Sequence, residues 1–422
     1  MYPFTKQLIN YSCNNPNNKL GFLILDVKGN YYNKVLEFAN LYNRLNDVIV
    51  IELNGKYKYN PLNKPNLKPT ILANRLKEIL TLFSPNNSED YWLDKASQII
   101  ENSITFIRLY NNNYVNFIEL HKIITDYSYF SLQAKSLRNS FVSGQFNHKD
   151  SYNLLNSINF LEKEFYKLDD RTLGILKSEI TRITNCFIAD YEVKNTFCPT
   201  IEEENFHGFN DVINSGKIVV LNMNIAEYKN LSKIIAAYLK LDFQSEVMQT
   251  ISNKRRSLCF ISDEYQEYVT SSDADFYAQA REAKCINIVA TQSYTSLLNS
   301  INNQNSTKVI IQNLVNKLWF RTDDIFTIEE IQKQIGKEDK KKTSTTISEN
   351  SKENNYNYFS NRFTSLNSNL SESINSYYQN DYVFDYNEFT QKLNTFECIA
   401  FLSNGSNIIK PQKIFMQPYF KI

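Results

Sequence analysis

Short apolar runs recur at both ends of the chain, at residues 20–26, 48–53, 217–223, 257–262 and 285–290. They lack strict apolar–polar alternation and read as strands, the run at 257–262 as a buried strand of a parallel sheet. Between the first two, Val27-Lys28-Gly29-Asn30 turns the chain into a helix from about Tyr31 to Leu45, a βαβ opening that implies a right-handed crossover. Residues 57–66, with Asn60-Pro61-Leu62-Asn63-Lys64-Pro65, are extended and rich in turn formers. From about Pro69 to Glu192 the period becomes helical. Ile71, Leu76, Ile79 and Leu80 begin it, and Leu154, Ile158, Leu161 and Phe165 carry it on. The sheet pattern resumes at Gly216, and Leu231, Ile234, Ile235, Tyr238 and Leu241 then fall at the spacing of an amphipathic helix. A strand-like run at 317–321 precedes a helix over 325–335 that stops at Gly336. Residues 337–381, rich in Lys, Ser and Asn with isolated aromatics, read as a mobile loop or a long hairpin. A helix near 386–393 and a strand near 398–402 close the chain.

This pattern predicts an α/β fold with a mostly parallel sheet interrupted by an all-helical domain. The expected division is 1–68 for the start of the sheet domain, 69–200 for the helical insert and 201–422 for the remainder, with 337–381 as a low-complexity loop. Hydrophobic residues make up 42% of the 422 and aromatics 14%, enough for sizeable cores. A net charge of +1 excludes a polycation, so any nucleic-acid contact must use a local patch. Lys254-Arg255-Arg256 could make one, although a solvated loop fits it better. The six cysteines are scattered without CxxC spacing and the three histidines do not join them. They read as free thiols in a reducing compartment, not as a zinc site. No apolar run reaches the length of a membrane span and there is no secretory signal, so the chain as written reads as cytoplasmic.

The candidate chemistry lies at two strand ends. The run Leu258-Cys259-Phe260-Ile261-Ser262 leads into Asp263 and Glu264. Adjacent carboxylates there suit a nucleotide hydrolase, the first holding Mg²⁺ directly or through water and the second orienting the attacking water. A solvated acidic turn is the plain alternative. The next strand is preceded by Arg281 and left through Gln292. In stacked-ring motor ATPases an arginine so placed can reach the neighbouring subunit's γ-phosphate, and such a glutamine can sense the phosphate or the water. Taken alone, Arg281 reads better as a surface salt bridge and Gln292 as a strand-end hydrogen bond to the backbone. Asp26 and Lys28, at the end of the first strand, suit either a cofactor-binding site or a helix cap.

In order, these segments resemble the conjugative coupling proteins of the TraG/TraD kind, the DNA-pumping ATPases of type IV secretion. The matching pieces are Asp26-Val27-Lys28-Gly29-Asn30, Asn60-Pro61-Leu62, Val219-Val220-Leu221-Asn222, Ile261-Ser262-Asp263-Glu264, Ala290-Thr291-Gln292-Ser293 and Arg321-Thr322-Asp323-Asp324. The resemblance implies a RecA-like P-loop NTPase sheet using ATP and Mg²⁺. Asp263 and Glu264 would be its Walker B pair, Gln292 its sensor and Arg281 its inter-subunit arginine. It further implies a homo-hexamer at the cytoplasmic face of the bacterial inner membrane. Such a hexamer moves single-stranded DNA with bound relaxase to the secretion channel, and its helical insert faces the relaxosome. Within 337–381, Lys340, Lys341, Lys342, Tyr356, Tyr358 and Arg362 could meet a single strand in the pore by charge and stacking, and a disordered insert with no role fits the segment equally well.

The chain also departs from that family. None of Gly55-Lys56, Gly216-Lys217 and Gly336-Lys337 precedes Ser or Thr, so the string GxxxxGK[ST] does not occur. Met1 is expected to stand where the helix of that loop is finishing, and the chain as written is expected to carry no membrane anchor. As written, the chain is therefore expected to bind ATP poorly, and whether it is an enzyme stays open. Two other readings stand beside the coupling ATPase: a non-catalytic remnant or adaptor that binds secretion substrates, and a related ring motor for DNA packaging or segregation.

Overall fold

In a computed structural model of the protein, which describes residues 1–26, 28–83, 90–249, 255–350, 355–364, 369–418 and 420, the apolar runs form a five-stranded parallel sheet. Val27 and Lys254 lie outside the described residues. The strands are β1 (Gly21–Leu25), β2 (Val48–Ile51), β3 (Ile218–Leu221), β4 (Leu258–Ser262) and β5 (Cys285–Val289), in the order β2-β3-β1-β4-β5. The central strands β3, β1 and β4 are buried along their whole length, which is why their sequences run apolar without alternation. β3 returns after the helical segment and inserts between β1 and β2, so the opening crossover spans a strand absent from that part of the sequence. On one face of the sheet, α1 (Tyr2–Asn10) and α2 (Tyr31–Leu41) pack Ile9, Val35 and Phe38 against Phe22, Ile24 and Val220.

The helical stretch is α3 (Pro69–Phe83), α4 (Asp90–Tyr110), α5 (Phe117–Thr125), α6 (Tyr127–Val142), α7 (His148–Asn159), α8 (Asp170–Ile188) and α9 (Tyr191–Phe197). From α5 on, each helix start is written in the sequence as an Asn or Asp cap. Asn116, Asp126, Asn147, Asp169 and Asp190 each accept a hydrogen bond from a backbone N–H of the first turn. Phe117 and Phe187 stack at 4.0 Å to join α5 to α8.

After α10 (Asn210–Ser215), β3 and α11 (Ile225–Tyr228) comes α12 (Asn230–Gln249), and here the structure differs from the expected amphipathic helix. Its polar residues are buried as well: Lys240 and Asp242 have no exposure, and Gln244 and Glu246 have little. Partners from distant segments make this possible. Asp242 receives Lys64 at 2.8 Å, Arg75 of α3 at 2.6 Å and the Tyr59 hydroxyl at 2.5 Å. Lys64 also reaches Glu246 at 2.9 Å and the His207 carbonyl at 2.8 Å. Gly208 must be glycine here, because its φ is +124° and a Cβ would lie 2.0 Å from the Lys64 ammonium. The Asn-Pro-Leu turn is tied into the same place. The Asn60 side chain donates to the Val115 carbonyl at 2.9 Å, and Tyr238 of α12 donates to the Pro61 carbonyl at 2.8 Å.

Helices α13 (Asp273–Gln279), α14 (Tyr294–Ile301) and α15 (Gln304–Asn313) complete a compact unit over Met1–Leu314. Val315–Pro418 forms a second. Its first strand, β6 (Lys317–Trp319), does not extend the parallel sheet. α16 (Ile325–Ile335) follows it, capped at Gly336 as expected. The low-complexity segment is a long antiparallel ribbon of β7 (Lys337–Asn350) and β10 (Asn369–Tyr382), with short strands β8 (Asn355–Asn357) and β9 (Arg362–Thr364) between them. β11 (Glu397–Ser403) pairs antiparallel with β6 on one side and with β12 (Ile408–Phe415) on the other. Trp319, Ile328, Ile331, Phe389, Ile399 and Phe401 form this unit's own core, which explains the separate sheet. No described helix is long and apolar enough to cross a membrane.

Because Asp242 neutralises two buried cations, Asp242→Ala is expected to cost about 3–5 kcal/mol of stability, read from the urea midpoint of the full chain. A loss within experimental error would mean that the cluster carries no charge.

Candidate functional site

β4 runs between β1 and β5, and its backbone ladder divides at its carboxyl end. The Asp263 N–H bonds to the Leu25 carbonyl on the β1 side at 3.0 Å, and the Tyr265 N–H bonds to the Ala290 carbonyl on the β5 side at 2.8 Å. Glu264, between them, takes the left-handed conformation with φ 49° and ψ 46°. For a residue with a Cβ this costs roughly 1–2 kcal/mol. Its carboxylate is met from both neighbouring strand ends. Lys28, after β1, holds Oε1 at 2.6 Å. Gln292, after β5, donates to Oε2 at 3.0 Å, and Gln266 donates to the same oxygen at 2.7 Å.

The turn that carries Lys28 is shaped by Asp26. Its buried carboxylate accepts from the N–H groups of Lys28 (2.9 Å), Asn30 (3.2 Å) and Tyr31 (3.1 Å). Asp26 thus caps α2 and aims Lys28 in one arrangement. Gly29 packs against Asn224 with φ +69°, a position that a side chain would strain.

The two adjacent carboxylates are driven apart electrostatically. Burial pushes Asp263 above its ordinary range, with the Lys28 charge the main opposing influence. Burial also pushes Glu264 up, but the hydrogen bonds from Lys28, Gln266 and Gln292 outweigh it and hold the carboxyl below its ordinary range. The same bond to Glu264 raises Lys28. No cation pairs directly with Asp263 among the described residues, and its Oδ1 accepts only the neighbouring Glu264 N–H at 3.1 Å. One half-buried carboxylate with free lone pairs fits Mg²⁺, which is commonly held by one or two carboxylates together with substrate phosphates. No group of three or more His, Cys, Asp or Glu residues could hold a metal by itself among the described residues.

The expectation for Met1 needs correcting. A whole helix, α1, follows Met1 and precedes β1.

The remaining predicted residues are distributed differently. Arg281 is exposed in the turn before β5, and no contact joins it to the Glu264 cluster among the described residues. The lysine run does not form one patch, since alternate residues of a strand face opposite ways. Lys340 and Lys342 share one face and pair with Asp385 at 3.1 Å and Asp381 at 2.5 Å. Lys341 lies on the other face, opposite Tyr378, and has no acidic partner among the described residues. On that face Lys337 also covers the Tyr382 ring at 4.9 Å. Tyr358 is exposed beyond β8, and the side chains of Tyr356 and Arg362 lie outside the described residues. Sequence reasoning passed over Gln266, Tyr265, Tyr268 and Asp273. The proximity of the first three to Asp263-Glu264 was the available signal.

Residues 202–370 match the family model described as the type IV secretion-system coupling protein DNA-binding domain. In fold, the chain is similar to the bacterial conjugative coupling protein TrwBdeltaN70 in its unbound monoclinic form. The TM-score is 0.58 at 9% identity, over 95% of this chain and 85% of that one. It is also similar to the plasmid coupling protein TrwB in complex with ADP and Mg²⁺ (TM-score 0.56, 10% identity, 94% of this chain and 78% of that one). The figures for TrwB with the non-hydrolysable ATP analogue ADPNP are 0.55, 12%, 94% and 78%. No curated protein matches in sequence. The resemblance to coupling proteins therefore holds in the sequence of residues 202–370 and in the RecA-like fold.

The Lys28–Glu264 bridge predicts a pH window. The depressed Glu264 contributes in full above its ordinary 4.5 and loses its contribution as pH falls through its folded-state value. The raised Lys28 contributes in full below its ordinary 10.5 and loses its contribution as pH rises through its folded-state value. Because Lys28 is more than half exposed, Lys28→Ala is expected to cost no more than about 1 kcal/mol. The difference between variant and wild-type denaturation midpoints should be flat inside this window and shrink at its acid edge.

Proposed function

We propose that this chain provides the motor of a coupling ATPase that delivers single-stranded DNA, with its bound relaxase, to a type IV secretion channel. The observation that carries the reading is the Glu264 carboxylate, aimed by Lys28 and Gln292 beside a desolvated Asp263 at the end of the central strand. The match of residues 202–370 to a coupling-protein DNA-binding domain supplies the context. In this reading the protein works as a homo-hexamer at the cytoplasmic face of the inner membrane, and the exposed Arg281 serves the nucleotide site of the next subunit.

Mg²⁺ bound with ATP would offset the charge that builds on the transferred phosphoryl group. Asp263 would hold that ion through water. Glu264 would orient the attacking water and take its proton, with Gln292 and Gln266 keeping Oε2 in place. Lys28 covers Oε1, so it restrains the base until another anion draws the ammonium away.

DNA-stimulated ATP hydrolysis by the natural full-length protein tests these roles. Glu264→Gln is expected to lower kcat by about 100-fold or more while leaving Mg²⁺-nucleotide binding intact. An unchanged kcat would remove Glu264 from the mechanism. A wild-type protein that binds relaxase without hydrolysing ATP would favour the adaptor reading.

The ribbon of β7 and β10 makes a separate prediction for the DNA. Lys341 and Tyr378 stand together on the face whose lysines are not drawn off by Asp385 and Asp381. Tyr378→Ala should weaken single-strand binding by about 1–3 kcal/mol, and Lys341→Ala should lower the salt slope by about 0.7. Lys340→Ala should do less than either change. Equal effects from Lys340 and Lys341, measured by fluorescence anisotropy over a salt series, would refute the assignment of the face.

A further inference from the structure

We infer that Asp273 is a positioning residue for Glu264, acting through the phenol of Tyr265. The inference rests on reading Glu264 as the working carboxylate.

Asp273, at the start of α13, is wholly buried. Its carboxylate accepts from four donors: the Lys240 ammonium at 2.6 Å, the Gln244 amide at 2.8 Å, the Thr270 N–H at 3.0 Å and the Tyr265 hydroxyl at 2.5 Å. A carboxylate this far from water is stable only when paired, and Lys240 of α12, itself without exposure, supplies the opposite charge.

Tyr265 directly follows Glu264 and is fully buried. It is fixed at two points, by its N–H to the Ala290 carbonyl and by its hydroxyl to Asp273. On the other side of Glu264, Tyr268 donates to the Asp263 carbonyl at 2.6 Å and accepts from the Ser262 hydroxyl at 2.9 Å. Both neighbours are anchored by buried phenols, so the strained left-handed Glu264 has little freedom to relax into the right-handed region. A right-handed Glu264 would swing its carboxylate out of the gap between the β1 and β5 ends, away from Lys28 and Gln292.

The Asp273 cluster also extends to the helical domain. Thr270 and Ser272 share a hydroxyl contact at 3.0 Å, and Ser272 donates to Glu78 of α3 at 2.5 Å. The conformation of Glu264 is thus referred to α12 and to the first helix of the insert, neither of which touches its carboxylate.

A zero-length crosslink reads this positioning without any turnover. The Lys28 ammonium and Glu264 carboxylate stand 2.6 Å apart, and a water-soluble carbodiimide would join them through an isopeptide bond with loss of water, taken up by the carbodiimide as its urea. The joined peptides are quantified by mass spectrometry on the folded full chain. Tyr265→Phe should lower the yield about fivefold, the loss of one buried hydrogen bond, and Asp273→Asn, which leaves the buried Lys240 without its counter-charge, should lower it at least as much. Phe187→Leu, which weakens the aromatic stack between α5 and α8, serves as the control for general destabilisation and should leave the yield unchanged. Unchanged yields in both test variants overturn the inference. So does an equal fall in the control, which would mark Asp273 as a merely structural residue. Should Asp273→Asn not fold, Tyr265→Phe decides. Because the crosslink needs no ATP, failure of the positioning role is separable from failure of the ATPase reading, which would show only in kcat.

Discussion

A helix that carries charge into the interior must find its counter-charges there, and α12 sets that demand on the whole first unit. Lys240 and Asp242 are both without exposure. Removing either ion from water costs several kcal/mol, a debt that only close, well-oriented partners offset. Those partners come from separate parts of the chain: Asp273 from the segment after β4, Lys64 from the turn after β2, and Arg75 from the first helix of the insert. Burial pushes the Asp242 carboxyl up, yet Lys64 and Arg75 more than reverse this and keep it ionised. Such pairs add little net stability over an apolar core of the same shape. They do penalise every packing in which a charge lacks its mate. The position of the helical insert against the sheet domain is therefore held by charge registry as much as by apolar contact.

The same logic explains what was legible in the sequence. The strands β1, β3 and β4 were visible because burial on both faces leaves an unbroken apolar run. The helices of the insert were visible through their apolar period, whereas their Asn and Asp caps emerged only in the structure. Asp263, Glu264 and Gln292 were visible as strand-end residues, and the structure brings Glu264 and Gln292 into contact. The character of α12 was hidden, because Lys240, Asp242, Gln244 and Glu246 look solvent-facing until their partners are known. Lys64 and Arg75 lie far from Asp242 in the chain, and no local pattern announces such a pairing. The separate sheet of the second unit was hidden for a related reason. The run at 317–319 is apolar enough for either sheet, and only its antiparallel partner β11 decides between them. The lysine run at 340–342 was visible as charge, but its division between two faces depends on the ribbon's register.

Adjacent carboxylates with opposite tendencies are the clearest chemical statement in the molecule. Asp263 and Glu264 leave the same strand, yet burial raises the first while three hydrogen-bond donors depress the second. Environments that separate the proton affinities of two neighbouring acids are how a site assigns them different tasks. The bridge to Lys28 cannot be explained as scaffolding, because its lysine is largely solvated and such a pair contributes at most about 1 kcal/mol. A weak pair built on a strained residue, itself anchored on both sides by buried phenols, is poorly suited to holding a fold together. It is well suited to keeping a carboxylate ionised and aimed while leaving its cation free to depart. The rigid parts of the site, Tyr265, Tyr268 and Asp273, lie inside the protein, and the exchangeable part, the Lys28 ammonium, lies at its surface. That division between fixed and exchangeable contacts is what the proposed role of Glu264 as a base would use, since it keeps the carboxylate aimed while its cation can leave.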